Sequence, residues 1–373
     1  MSQMLRLDRV AEVGSGNSAP QDKELFIGGY LPFVRTSDVG AIHIGSIETS
    51  RDLLTPTGAK GLTLQPSGTI LFPKSGASTF LNHRVILIRD AYVSSHLATI
   101  KANNELALDR YLFYFLQTID ARDLCQDQAY PSLNRDQIAR IEVPLPPLEK
   151  QRKIVEKLDV AFAEIDLLEG NLGLGDEKTN QLLQSLLSSA FSSTKGQNEF
   201  TKLFTVIPDS KSKVKSSSYL ASGKYAIVDQ GKELVAGYTD TSPTVDKKSL
   251  PVVVFGDHTR AVKYVDFPFT AGADGTQILK PSALTNPKYG FYLVLHAVGQ
   301  IPSKGYARHF GELKKMQFQL PSLGEQRKIV EKLDRAFAEI EILKARVNIK
   351  KDYATALRKS LLNSVFTLDE AVV

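Results

Sequence analysis

Few residues in this chain have types and spacings that could do chemistry. Glu312-x-Lys314 has the separation of the Glu-x-Lys pair in metal-dependent nucleases, but that chemistry also needs a carboxylate from a nearby Pro-Asp step. The Pro-Asp step, Pro208-Asp209, lies far upstream, so a surface Glu and Lys ahead of a strand is the ordinary reading. The six histidines are scattered without an H-x-x-x-H pair, and His43, His83 and His258 read as loop or core residues rather than metal ligands. The one cysteine, Cys125, excludes an intramolecular disulfide framework and any Cys-rich zinc or iron–sulfur site. No G-x-x-x-x-G-K-S/T loop cradles nucleotide phosphates, and no strand runs into G-x-G-x-x-G for a dinucleotide or methyl-donor cofactor. Nor is there an Asn/Asp-Pro-Pro-aromatic segment of the adenine-methylating type; the Pro146-Pro147 pair opens a helix instead. The inventory describes binding and scaffolding, with no catalytic residues and no metal.

What must position any binding residues is a chain of 373 residues, room enough for two domains. Its 42% apolar and 23% charged residues are ordinary for a globular protein. No apolar run approaches the ~18–20 residues that span a bilayer, and MSQMLRLDRVAEVG lacks a signal-type apolar region. A soluble, cytoplasmic protein is expected. The net charge of +5 is unevenly spread: −1 over 1–148, −2 over 149–196, +6 over 197–320 and +2 over 321–373. That is compatible with a nucleic-acid partner without establishing one.

An internal repeat organises the chain. QRKIVEKLDVAFAEI (151–165) and QRKIVEKLDRAFAEI (326–340) agree at fourteen of fifteen positions, and LLQSLLSSAF (182–191) aligns without a gap on LRKSLLNSVF (357–366). Each repeat reads as a long helix, with Pro146-Pro147 or Pro321 ahead of it and Glu149 or Glu325 in the first turn. Apolar residues follow the 4-3 spacing of a coiled-coil seam: Ile154, Leu158, Ala161, Ile165, Leu168 and Leu172, then Ile329, Leu333, Ala336, Ile340, Leu343 and Val347. The seam resumes at Leu182 and Leu186, and at Leu357 and Leu361. A lone stripe of this kind ordinarily packs on a globular core; for two near-identical stripes the simplest partner of each is its twin. Gly170, Gly173 and Gly175 in the first copy, against Ala345, Asn348 and Lys350 in the second, should weaken or kink the first helix.

The blocks between the repeats differ in sequence but share a plan. Strand-like runs YLPFV (30–34), TILFPKSG (69–76) and RVILI (84–88) lead to a helix at 108–117 in the first block. In the second, YAIVD (225–229) and LPVVVFG (250–256) lead to a helix at 289–298. Each is a strand-rich α+β block large enough for its own core.

Two dissimilar blocks, each followed by Leu-Pro-x-Leu-x-x-Gln-Arg-x-Ile-Val-x-x-Leu-Asp, resemble the specificity subunits of type I restriction-modification enzymes. Here the motif stands as LPPLEKQRKIVEKLD (145–159) and LPSLGEQRKIVEKLD (320–334), and the likeness covers the whole chain. It implies an α+β fold with an internal pseudo-twofold repeat: target-recognition domains at 1–145 and 197–320, separated by conserved spacer helices at 146–196 and 321–373 that form an antiparallel coiled coil. The implied function is non-catalytic. The subunit binds double-stranded DNA with a bipartite, asymmetric target, and scaffolds two modification (methyltransferase) subunits and the restriction subunits, with no membrane partner. S-adenosylmethionine, ATP and Mg belong to those partners, none to this chain. The paired helices would act as a ruler between two half-sites. The alternative is a coiled-coil protein–protein adaptor without DNA binding.

Base reading needs side chains with paired donors and acceptors, and phosphate contacts need cations. The first block offers Arg35, Thr36, Ser37 and Asp38 after its first strand, Lys74 and Ser75 in a glycine turn, and Gln128, Tyr130, Asn134 and Arg135 in the closing loop. The second offers Gln230 and Lys232, then Asp257, His258, Thr259 and Arg260, then Lys304, Tyr306, Arg308 and His309.

Overall fold

The computed structural model describes residues 3–125, 131–191, 198–208, 213–272, 275–302 and 308–367. Gln128, Tyr130, Lys304 and Tyr306 lie outside them. The chain folds as two compact units, residues 1–171 with 350–373, and residues 172–349.

Unit one opens with β1 (Gln3–Arg6), a helical turn α1 (Leu7–Val10) and β2 (Ala11–Ser15). Then come β3 (Leu31–Val34), α2 (Thr36–Ile42), β4 (Ile44–Ile47), β5 (Asp52–Leu54), β6 (Leu64–Gln65), β7 (Ile70–Pro73), β8 (Arg84–Leu87), β9 (Ala91–Val93) and β10 (Leu97–Ala102). Helices α3 (Asp109–Leu116), α4 (Ala121–Leu124) and α5 (Arg135–Ala139) follow, then β11 (Glu142–Leu145) and the long α6 (Leu148–Phe191). A five-stranded sheet has the order β2-β10-β7-β8-β4 and a four-stranded one β5-β3-β9-β6, while β1 pairs with β11. The central strands are buried on both faces, as unbroken apolar runs such as ILF and VIL require. Because side chains alternate, Ile70, Phe72 and Ile86 join the core under α3, while Leu71, Val85 and Leu87 join a second core with Val34 and Val93.

Unit two repeats this plan. Its elements are β12 (Asn198–Glu199), α7 (Phe200–Leu203), β13 (Phe204–Ile207), β14 (Tyr225–Val228), β15 (Gly237–Thr239), β16 (Val252–Gly256), β17 (Val262–Val265), β18 (Phe269–Ala271), β19 (Thr276–Pro281), α8 (Pro287–Gln300), α9 (Phe310–Lys315), β20 (Gln317–Phe318) and α10 (Leu323–Thr367). The order β13-β19-β16-β17 matches β2-β10-β7-β8, and β14 pairs in parallel with β18 as β3 does with β9. Val253 and Phe255 face the core under α8, Val252 and Val254 the other core. The α+β class, the helices at 108–117 and 289–298, and the strand runs read from the sequence are all present.

The identical residues of the two repeats have identical jobs. Gln151 is fully buried: its Oε1 accepts from the Leu108 N–H (2.9 Å) and its Nε2 donates to the carbonyls of Leu106 (2.9 Å) and Pro146 (2.8 Å). Gln326 accepts from the Asn286 N–H (2.7 Å) and donates to Leu284 (2.9 Å) and Pro321 (2.8 Å). Two turns on, Asp159 accepts from the Tyr114 hydroxyl and from Arg110 (2.5 Å); Asp334 accepts from the Tyr292 hydroxyl (2.7 Å) and from Lys288 (2.8 Å). Burial and its Asp159 bond push the Tyr114 hydroxyl up to about 12, so it stays a donor. These bonds lock each head to the start of its own long helix.

Helix α6 runs 44 residues without interruption and α10 runs 45, so the three glycines do not break α6. In unit one Leu158, Phe162 and Ile165 of α6 share a core with Ala354 and Leu362 near the end of α10. In unit two Leu187, near the end of α6, shares a core with Val330 and Leu333 at the start of α10. The start of each helix thus packs with the end of the other, an antiparallel pairing. The seam itself needs a correction. Leu168 (39% exposed), Leu343 (46%) and Leu182 (48%) point outward. The inward 4-3 stripe instead steps through Leu158, Phe162, Ile165, Glu169, Leu172, Asp176, Thr179, Leu183, Leu186 and Ala190, and in α10 through Leu333, Phe337, Ile340, Lys344, Val347, Lys351, Ala354, Arg358, Leu361 and Val365, all buried or half-buried. Following apolar residues alone misplaces a stripe whose middle layers are charged. Ile154, Ala161, Ile329 and Ala336 flank it, half-buried.

Candidate nucleic-acid interface

In each unit separate segments meet at one end of the sheets, held by main-chain hydrogen bonds of which three are common to both units. In unit one the Ser94 N–H donates to the Val34 carbonyl (2.9 Å), the Lys74 N–H to His96 (3.0 Å), the Leu133 N–H to Lys74 (2.8 Å) and the Gly16 N–H to Leu97 (3.1 Å). The first three recur in unit two, from Gly272 to Val228 (3.0 Å), from Asp257 to Gly275 (2.7 Å) and from His309 to Asp257 (3.0 Å). Segments scattered along the sequence are thereby gathered where β3, β7 and β9, or β14, β16 and β18, end.

In unit one this brings Arg35–Asp38, Lys74–Ser75 and Asn134–Arg135 to one cluster, with Ser75 bridged to Ser132. Arg35 lies over the rings of Phe33 (5.2 Å) and Phe26 (5.8 Å) and pairs with Asp52, its side chain 38% exposed. Ser37 is exposed, and Thr36, Lys74 and Ser75 are half-buried. Arg135 projects, its side chain 66% exposed and 3.9 Å from Asp136. Two residues are otherwise engaged. Asp38 is buried, accepting from the Arg35 N–H (2.8 Å) and from the N–H (3.3 Å) and Nε (3.4 Å) of Arg51. Asn134 caps α5, accepting from the Gln137 N–H (2.8 Å). Both hold loops in place rather than present free acceptors.

In unit two Gln230, Asp257–Arg260 and His309 meet. The Gln230 Oε1 accepts from the His258 N–H (3.3 Å), and its carbonyl accepts from the Thr259 hydroxyl. The crowding demands glycine twice: a Cβ on Gly256 would lie 2.3 Å from the Thr259 Oγ1, and Gly275 (φ +88°) would meet Gln230 and His258 at 2.8 Å. Asp257 is buried, its Oδ1 accepting from the N–H groups of His309 (2.8 Å) and Phe310 (2.7 Å) at the start of α9. His309 is also buried, its Nδ1 2.9 Å from the Asp257 carbonyl. Asp257 and His309 therefore position the loops, whereas Thr259, Lys232 and Arg308 are exposed. Arg260, at φ +62°, is half-buried and donates to the Ile301 carbonyl (2.9 Å). Beneath the loop, Lys263 is buried against Asp229 (Nζ to carbonyl 2.8 Å), and burial pulls its ammonium pKa down while Asp229 opposes the shift.

Reading the sequence missed the Ser94-Ser95-His96 turn, where His96 is exposed at the centre of the cluster. A polar tripeptide between the apolar runs AYV and LATI was the signal. Among the described residues no group of three His, Cys, Asp or Glu could hold a metal. Glu312 and Lys314 sit on α9, Glu312 beside Lys315 (3.6 Å) and Lys314 over the Phe310 ring (5.0 Å).

The chain is thus built from two heads of one plan, each with a polar loop cluster at the ends of its strands and a long helix. The family profile of the type I restriction modification DNA specificity domain matches residues 2–172 and 199–351, and the chain belongs to that family. It is 36% identical over 61 residues to the type I restriction enzyme EcoDI specificity subunit of Escherichia coli, covering 16% of this chain and 14% of that one. It is 27% identical over 161 residues to the EcoR124I/EcoR124II specificity subunit of Escherichia coli, covering 40% of each. These matches span less than half of the curated relatives. A chain from a structure described as the structural basis of complex assembly and conformational transition of the type I R-M system shares the fold, with a TM-score of 0.73 at 17% identity over 99% of this chain and 98% of that one. Specificity subunits are the non-catalytic members of such systems. No helix among the described residues is long and apolar enough to cross a membrane.

Proposed function

We propose that this chain reads a bipartite, asymmetric duplex DNA target, one head to each half-site, within a cytoplasmic type I restriction-modification complex. The observation that carries this is the pair of loop clusters: the same main-chain bonds hold both, yet the side chains they present differ. Equivalent scaffolds with unlike reading residues suit two unlike half-sites. Arg35, Ser37, Lys74, His96 and Arg135 are the contact candidates in one head, and Lys232, Thr259, Arg260 and Arg308 in the other. Catalysis, with S-adenosylmethionine, ATP and Mg, belongs to the modification and restriction subunits.

Docking of two identical modification subunits is supported by the long helices. Arg152, Lys153, Glu156 and Lys157 are exposed and repeated as Arg327, Lys328, Glu331 and Lys332, which no packing demand explains. Each helix also carries outward apolar residues seven apart, Leu167 (68% exposed) and Leu174 (56%), and Ile342 (54%) and Ile349 (66%).

Arg35→Ala should relax recognition at one half-site and Arg260→Ala at the other, read by methylation profiling with the modification subunit present. If both half-sites are unaffected by both variants, the loops are not the readers. If the complex shows no salt-dependent affinity for duplex DNA in filter binding, the chain is an adaptor instead.

A further inference from the structure

The seam of the long helices is charged in its middle, and the charges are not symmetric. At equivalent points of the repeat, α6 carries Glu169 and Asp176 where α10 carries Lys344 and Lys351, and all four are half-buried. A third position puts Leu183 in α6 and Arg358 in α10. Every charged residue on the inward stripe of α6 is therefore acidic, and every one on that of α10 basic. In unit one Arg358 stands 3.7 Å from Glu169, pairs with Asp166, and lies over the Phe162 ring at 4.6 Å.

The apolar layers that open the two helices cannot tell them apart. Leu158, Phe162 and Ile165 recur as Leu333, Phe337 and Ile340, so at those layers α6 against another α6, or α10 against another α10, would bury the same side chains. What differs between these pairings is the sign of charge brought together away from full solvent. Unlike pairing sets acids against bases. Like pairing gathers two acids, or two lysines and an arginine, from each helix into one half-buried strip, where repulsion is screened less than at an open surface.

We propose that these charges are a pairing code, by which the seam of either helix accepts only the opposite repeat. A second copy of this chain could then be joined only through α6 of one copy and α10 of the other, and like-with-like assembly is rejected. Lys344 also lies 3.3 Å from Glu341 on its own helix, a contact that would be the same in every pairing and so cannot discriminate.

The test reverses the code in the full-length chain. One variant carries Glu169→Lys with Asp176→Lys, a second Lys344→Glu, Lys351→Glu and Arg358→Glu, and a third all five changes. Urea unfolding is followed by circular dichroism and mass by light scattering. Each half-reversed chain should unfold with an equilibrium constant raised about tenfold, and the fully reversed variant should recover most of that loss. Mixed together, the two half-reversed chains, one with two basic seams and one with two acidic seams, should form a one-to-one heterodimer that neither forms with itself. Losses that simply add in the fully reversed variant would overturn the proposal, as would self-association as strong as cross-association. Should a half-reversed chain fail to fold, the neutral cycle of Glu169→Gln with Asp176→Asn against Lys344→Gln, Lys351→Gln and Arg358→Gln reads the same coupling. An additive result there counts equally against the code.

Discussion

At Gln151 one side-chain amide satisfies three main-chain groups that come together where head and long helix meet, and Gln326 does the same in unit two. Gln151→Ala leaves the Leu108 N–H and the Leu106 and Pro146 carbonyls without that partner in a buried site. The expected cost is about 2–3 kcal/mol in urea unfolding, with the transition of unit two unchanged. Gln326→Ala should do the converse. The two glutamines were visible in the sequence as identical letters, but their role was not: a polar residue inside a repeat reads as solvent-facing until its distant partners are known. The loop candidates divide in the same way. Strand ends could be read from runs such as ILFP and VVVFG, so polar residues just beyond them were legible as a group. Whether such a residue faces outward, like Arg135, or caps a helix from far along the chain, as Asp257 does for α9, is decided by long-range contacts that no local pattern encodes.

Helix α6 stays continuous through Gly170, Gly173 and Gly175, and a Cβ added at any of them would meet nothing within 4 Å. Close packing therefore does not require these glycines, and their effect is entropic. Gly170→Ala with Gly173→Ala should raise stability by up to about 1 kcal/mol per site, read as a higher unfolding midpoint with circular dichroism unchanged in shape. The length and type of both helices were legible from their repeated apolar spacing. The register of the seam was not, because Leu168 and Leu343 offered an apolar residue one step from the true inward positions, which hold Glu169 and Lys344. Hydrophobic periodicity finds a face only where that face is hydrophobic.

For the molecule as a whole, the repeat showed a duplicated plan but did not reveal that the first unit is assembled from two separated stretches of chain. Unit one joins the first 171 residues to those from Lys350 onward, and Ala354, Leu362 and Phe366 sit in or against the same core as Tyr111 and Phe162. Phe366 packs edge-on against both Tyr111 (5.4 Å) and Phe115 (5.5 Å). Deleting residues 350–373 should therefore open the first head while sparing the second. Hydrogen exchange should quicken in α3 and β10 and stay slow in α8 and β16; uniform slow exchange would contradict the assignment. The same feature sets an order of events at the ribosome. The amino-terminal head emerges early, yet its core stays unfinished until nearly 180 residues more have been made, on the order of ten to forty seconds at ordinary rates of synthesis. During that interval it is the half of the nascent protein with greasy surface still uncovered, and so the half that a chaperone would hold.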